Sequence, residues 1–125
     1  MSPVEAINSS LTKFGTFSGR ASRSEFWWFA LSVNLWNFLL QVAAVFLGVA
    51  TNYSELSVAF YFLAAGLILI SVVPQLSVGA RRLHDIGRSG WWQLLTITGV
   101  GVILLLVWFC FAGDPLDNEF GPRQN

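Results

Sequence analysis

His84 and Asp85 stand side by side in the stretch RRLHDIGRSGWW, residues 81–92, where Arg81, Arg82, Arg88, Ser89 and two tryptophans crowd together. A metal-dependent hydrolase of the His–Asp type needs further histidines and carboxylates to complete its coordination sphere. His84 is the only histidine in the chain. A Ser–His–Asp triad needs an exposed serine on a rigid turn and an oxyanion hole. Ser89 is only a loop serine, and adjacent residues such as His84 and Asp85 point in different directions on a helix. A twin-arginine export signal would stand near the start of a chain rather than follow a long apolar run. The paired Asp and Gly pattern of lipid-headgroup transferases is missing too. These residues therefore predict a protein that is not an enzyme, with no catalytic residue, no metal site and no cofactor.

Binding chemistry is left. Arg20 and Arg23, before the first apolar run, join Arg81, Arg82 and Arg88 as five arginines that could gather on one side of a membrane. In one reading they face anionic headgroups, each contributing about 1 kcal/mol near the surface. In the other, Glu25 and Asp85 tie some of them into a polar network that locks the residues before the first span to the 81–90 loop. An arginine fork fits a carboxylate well, and screening is weaker at the membrane edge. The readings are compatible, because two carboxylates cannot satisfy five arginines. The candidate headgroup or partner contacts are thus Arg20, Arg23, Glu25, Arg81, Arg82, His84, Asp85 and Arg88.

The elements that must position these residues are apolar. Apolar residues make up 54% of the 125-residue chain and charged residues only 11%, against roughly 25% charged in soluble domains. Net charge is formally zero, so nothing global suggests nucleic acid as a partner. Three charge-free runs, about 26–50, 56–80 and 91–112, are each long enough to cross a bilayer that needs about 20 apolar residues. Lipid offers the backbone no partner, so helices are expected. The predicted fold is an all-α membrane protein: three transmembrane helices in a single domain, 1–125, with a cytoplasmic interfacial segment at 1–25 and a tail at 113–125.

Lysines and arginines alternate across the connections, which places the N-terminus in the cytoplasm and the C-terminus in the periplasm. The first run begins too late and is too long for the core of a cleaved signal peptide. Ser2-Pro3-Val4-Glu5 has the form of a capping box. Val4, Ile7 and Leu11 then recur at helical spacing, which predicts a short amphipathic helix on the cytoplasmic interface. Ser22-Arg23-Ser24-Glu25 is a second capping pattern, expected to start the first span. Trp27, Trp28, Trp91 and Trp92 fall at the cytoplasmic interface and Trp108 toward the outer one. The tail GDPLDNEFGPRQN lacks the spacing of an EF-hand loop and reads as solvated and weakly ordered. Cys110, the one cysteine, forms no intrachain disulfide and reads as a small hydrophobe.

Inside the spans, Asn34, Asn37 and Gln41 share one helical face. Amides in hydrocarbon need partners, so that face should meet another helix, with Gln75 beside Pro74 a natural partner. The spans hold no Asp, Glu, Lys, Arg or His, which counts against an ion-coupled carrier. Gly99 and Gly101, beside Thr96 and Thr98, would permit close helix approach but lack GxxxG spacing.

Together FSGRASRSEFWWF (residues 17–29) and RRLHDIGRSGWWQLL (81–95) resemble the bacterial inner-membrane family known as domain of unknown function 805. The resemblance covers nearly the whole chain, including the proline late in the second run and the ending GDPLDNEFGP. It implies a small multi-pass protein of the bacterial inner membrane, and brings no reaction, substrate or cofactor. The positions that carry it include Gly19, Arg20, Arg23, Phe26, Trp27, Arg81, Arg82, His84, Asp85, Gly87, Ser89, Gly90 and Trp91. The functional expectation is a non-enzymatic membrane protein whose basic cytoplasmic face meets anionic lipid or a membrane-protein partner, with a homo-oligomer possible. The alternative is a subunit of a small oligomeric channel or transporter built around the Asn34, Asn37 and Gln41 face.

Overall fold

In the computed structural model, which describes residues 1–124, Ser2 caps helix α1 (Pro3–Thr12) with both bonds of its capping box to Glu5 in place. The last residue of the expected 113–125 tail, Asn125, lies outside the described residues. Ala6 and Ser10 are the buried positions of α1, whereas Val4 and Leu11 stay exposed. The helix thus packs through Ala6, Ser10 and the partly buried Ile7, and leaves Val4 and Leu11 outward. An irregular strap then leads to α2 (Arg23–Ala50), pinned where the Ala21 amide donates to the Arg81 carbonyl at 2.9 Å.

Ser22 caps α2 by accepting from the Glu25 amide. Only half of this second capping box forms, because the Glu25 side chain turns away to Ser9 and Arg81. A tight turn at residues 51–54, with Asn52 and Tyr53 at positive φ, reverses the chain into α3 (Glu55–Asp85). With 28 and 31 residues, at about 1.5 Å per residue α2 and α3 extend some 42 and 46 Å. Both are long and apolar enough to cross a membrane. Helix α3 runs beyond the expected 56–80, so Arg81, Arg82 and Asp85 belong to its last turn.

The third apolar run departs from expectation. It divides into a 3₁₀ segment (Gly90–Thr98) and a short helix α4 (Val100–Cys110), joined at Gly99 with φ 70° and ψ −57°. Eleven residues of α-helix rise about 16 Å, roughly half of a hydrocarbon core near 30 Å. The two pieces pack against each other as a hairpin: Trp92 meets Trp108 edge-on with centroids 5.5 Å apart. A side chain at Gly101 would strike Leu95 and Thr98, so the pair of glycines serves this internal turn rather than contact between two spans. The Thr98 hydroxyl donates to Leu95 O at 2.7 Å and accepts the Gly101 amide at 3.0 Å, giving the turn its polar partners.

Because the hairpin doubles back, residues 111–121 return to the end of α3 from which the 3₁₀ segment departs. The Asp114 amide donates to the Asp85 carbonyl at 2.7 Å. The tail therefore lies on the same end of the molecule as residues 20–25 and 81–90, not across from them. It is also folded rather than loose, and Trp108 sits at that same end beside Trp92 and Arg88.

Candidate functional site

Three long chain excursions meet at this end: the strap before α2, the last turn of α3 and the tail after α4. Between them is a cluster of side chains in which Arg20 is 4% exposed, Arg81 1%, Arg82 0%, Glu25 1% and Asp85 2%.

Asp85 is the shared acceptor. Its Oδ1 takes Arg20 Nε at 2.8 Å and its Oδ2 takes Arg82 Nη1 at 2.5 Å. Each arginine spends its remaining donors on backbone carbonyls. Arg20 reaches Leu116 O at 3.0 Å, Gly121 O at 3.2 Å and Asp114 O at 2.9 Å. Arg82 reaches Phe109 O at 3.2 Å and also Phe111 O. Those last two carbonyls belong to the C-terminal end of α4, where a cation satisfies orphan acceptors and opposes the negative end of the helix dipole. At Gly113 the tail crosses the Asp85 carboxylate so closely that any Cβ would collide with it.

A second pair stands beside the first. Arg81 Nη1 donates to Glu25 Oε1 at 2.7 Å, and the same oxygen accepts the Ser9 hydroxyl of α1 at 2.9 Å. Arg81 Nε and Nη2 have no partner among the described residues. Three guanidinium groups against two carboxylates leave this interior cluster one positive charge in excess, offset by the carbonyls gathered on Arg20 and Arg82.

His84 is held on three sides. Its Nδ1 lies 2.8 Å from Gly19 O, so Nδ1 carries the proton and donates. Its ring stacks on Phe120 at 4.1 Å, and its own carbonyl accepts from Asn118 Nδ2 at 2.9 Å. Arg88 lies over the Trp108 ring, 4.1 Å from the centroid, a cation–π contact. Arg23 is exposed. With Arg123, Ser22, Ser24, Gly113 and Asp114 it borders a cleft of about 420 Å³.

The five arginines are thus divided between the two arrangements that their sequence allowed. Arg20, Arg81 and Arg82 are interior, because the carboxylates and tail carbonyls there solvate them better than a headgroup layer would. Of the five, Arg23 and Arg88 keep access to the outside, and Arg88 is partly occupied by Trp108. Residues missing from the sequence reading are Asn118, Phe120, Arg123 and the carbonyls of 109–121. Their only signal was the turn-rich GDPLDNEFGP, whose glycines, prolines and asparagine favour a defined turn as much as a loose end.

Farther along the bundle, Asn34 Nδ2 donates to Gln75 Oε1 at 3.2 Å and Asn37 Nδ2 to Ser71 Oγ at 3.0 Å. Gln41 is exposed and is not brought to them. These amides join α2 to α3 and leave no continuous polar face.

Comparison with known proteins gives the family. The family described as "Protein of unknown function (DUF805)" matches residues 14–122. Inner membrane protein YhaI of Escherichia coli (strain K12) is 37% identical over 114 residues, covering 90% of this chain and 89% of the relative. Inner membrane protein YhaH of the same strain is 35% identical over 113 residues, with the same shares, 90% and 89%. No solved structure matches with significance. The chain belongs to the DUF805 family.

Proposed function

We propose that this DUF805 protein is a non-enzymatic membrane protein that holds an anionic lipid headgroup at its cytoplasmic end, in the cleft between Arg23 and Arg123. The observation that carries the reading is a division of labour among the cations. Asp85 and Glu25 occupy Arg20, Arg81 and Arg82, whereas Arg23 and Arg123 border the same open cleft of about 420 Å³, whose two carboxylates, Asp85 and Asp114, are held by Arg20 and Arg82 and by Asn118. Bidentate guanidinium groups suit phosphate oxygens, and the Ser22 and Ser24 hydroxyls, bonded to each other at 3.2 Å, leave one proton for a further acceptor.

The orientation belongs to the same proposal. All seven lysines and arginines fall in residues 13–23, 81–88 and 123, segments that the hairpin gathers at one end, and the Thr51–Glu55 connection has none. A cytoplasmic position for that end satisfies the positive-inside rule with no exception. The chain then crosses twice, through α2 and α3, with α1 against the cytoplasmic interface and the 90–110 hairpin entering and leaving on one side. A hairpin of this kind is tolerated at membrane depth where protein satisfies its backbone. The paired state of Asn34 and Asn37 speaks against the channel-subunit alternative.

Native mass spectrometry of detergent-purified protein with phosphatidylglycerol and phosphatidylcholine tests the binding. Anionic lipid should be retained in preference, and Arg23→Gln or Arg123→Gln should each weaken it roughly 5-fold, about 1 kcal/mol per cation. Equal retention of the two lipids sinks the proposal. Single cysteines in a Cys110→Ser background test the orientation. Positions 2 and 116 should label only from the cytoplasm and position 52 only from the periplasm; labelling of 116 from the periplasm refutes it.

A further inference from the structure

Beside the hairpin, along Leu76, Ala80 and His84 of α3, a second cavity of about 470 Å³ has no part in the reading above. Its walls are largely apolar, from Phe17, Leu76, Ala80, Trp91 and Leu94. The lip is exposed: Trp91 is 79% accessible and Leu94 57%. The polar groups lining it are His84, Ser89 and Gln93. Two of these already hold backbone groups. The Ser89 hydroxyl accepts the Trp91 amide at 3.3 Å, and the Gln93 amide nitrogen donates to Leu76 O at 3.0 Å and Gly90 O at 3.4 Å.

His84 differs. The Gly19 carbonyl fixes the proton on Nδ1 and Phe120 clamps one face of the ring. In the neutral ring Nε2 is then left as an acceptor, and no hydrogen bond to it is made among the described residues. It stands close to Gly90 on the cavity side, 3.6 Å from where a Cβ at Gly90 would project. A rigidly oriented acceptor thus ends an apolar chamber whose lip is exposed tryptophan and leucine. That combination selects against a charged headgroup and for an apolar body with one hydroxyl donor.

We infer that this cavity is a binding site for a single-chain neutral amphiphile, with its chain along Leu76, Trp91 and Leu94 and its head hydroxyl donating to His84 Nε2. The site takes one chain of a monoacylglycerol type. Its size is at the lower end of cavities that enclose small ligands, about 300–1,000 Å³, and too small for a whole two-chain lipid. It is independent of the Arg23 and Arg123 cleft, and either site can fail without the other.

The probes are 1-monooleoylglycerol, which has free hydroxyls, and methyl oleate, which has the same chain and no donor. Native mass spectrometry of the purified full chain should give a preference for the hydroxylated probe of roughly 3- to 10-fold, the range of one net hydrogen bond. His84→Phe, which keeps an aromatic partner for Phe120, should abolish the preference while leaving methyl oleate bound. Leu94→Trp, filling the chamber from its exposed lip, should displace both probes by 10-fold or more while leaving phosphatidylglycerol retention unchanged. Equal binding of the probes, a preference that survives His84→Phe, or indifference to Leu94→Trp each overturns the inference. The Leu94 variant decides the matter even where the histidine variant does not fold.

Discussion

Replacing Asp85 with asparagine changes one oxygen to an amide and leaves the volume of the side chain in place, yet it removes the only carboxylate that Arg20 and Arg82 share. Both guanidinium groups lie within 2.8 Å of it, and Asp85 is 2% exposed. Water cannot replace the lost charge, and one oxygen acceptor becomes a donor facing an N–H group. Removing one partner of a buried ion pair costs about 3–5 kcal/mol. The carbonyls of Phe109, Asp114, Leu116 and Gly121 still hold the two arginines, so a doubled penalty is not expected. About 4 kcal/mol is a large part of a total stability of roughly 5–15 kcal/mol. Denaturant titration of the protein in mild detergent should report it, and limited proteolysis should cut residues 111–121 far sooner than in the parent. Combining Asp85→Asn with Arg20→Met should cost less than the two single losses added together, because each change removes a partner the other has already lost. A cost below about 1 kcal/mol, or additive losses in the double variant, refutes the reasoning that the pairs are buried and coupled.

Gly113→Ala places a methyl group against the Asp85 carboxylate, and overpacking of this kind should cost about 1–3 kcal/mol in the same titration. Asn37→Leu removes the bond to Ser71 and should cost only about 0.6 kcal/mol, as interhelical bonds in membranes typically do; a loss of several kcal/mol would point to a larger role for that amide. The Ser2 backbone N–H, with the Ser2 hydroxyl beside it, lowers the Glu5 carboxyl below its usual range. Since the folded value is the depressed one, its support for the start of α1 is present above the unfolded value and fades as pH falls through the folded value. Amide exchange in the first turn of α1 should therefore quicken under acid, and Glu5→Gln should flatten that dependence; a first turn insensitive to acid contradicts it.

The long helices were legible because their signals are local. Ser22 and the apolar run after it set the start of α2, and the absence of charge between Glu25 and Glu55 marks its extent. The division of the third run was hidden because hydropathy does not separate one continuous helix from two shorter pieces of equal total length. Thr96, Thr98, Gly99 and Gly101 were visible, but glycine beside threonine suits a helix contact and a turn equally well. At the site, residue types narrowed the chemistry to arginine and carboxylate without assigning partners. Arg20 and Arg23 are three positions apart, yet one is interior and the other open to solvent. That difference depends on where the tail arrives, which no local pattern encodes.

The tail's return also dictates an order of events during synthesis. Arg20 draws three of its carbonyl partners from residues 94, 96 and 101 positions later in the chain. While α2 and α3 enter the membrane, those partners have not yet reached them. Until residues 114–121 are made, Arg20 has only Asp85 and must otherwise be solvated by water and lipid phosphate. Closure of the cluster is accordingly the last step of maturation. A nascent chain stalled before Gly113 would hold its two helices in place while displaying, at the membrane edge, cations that the finished protein conceals.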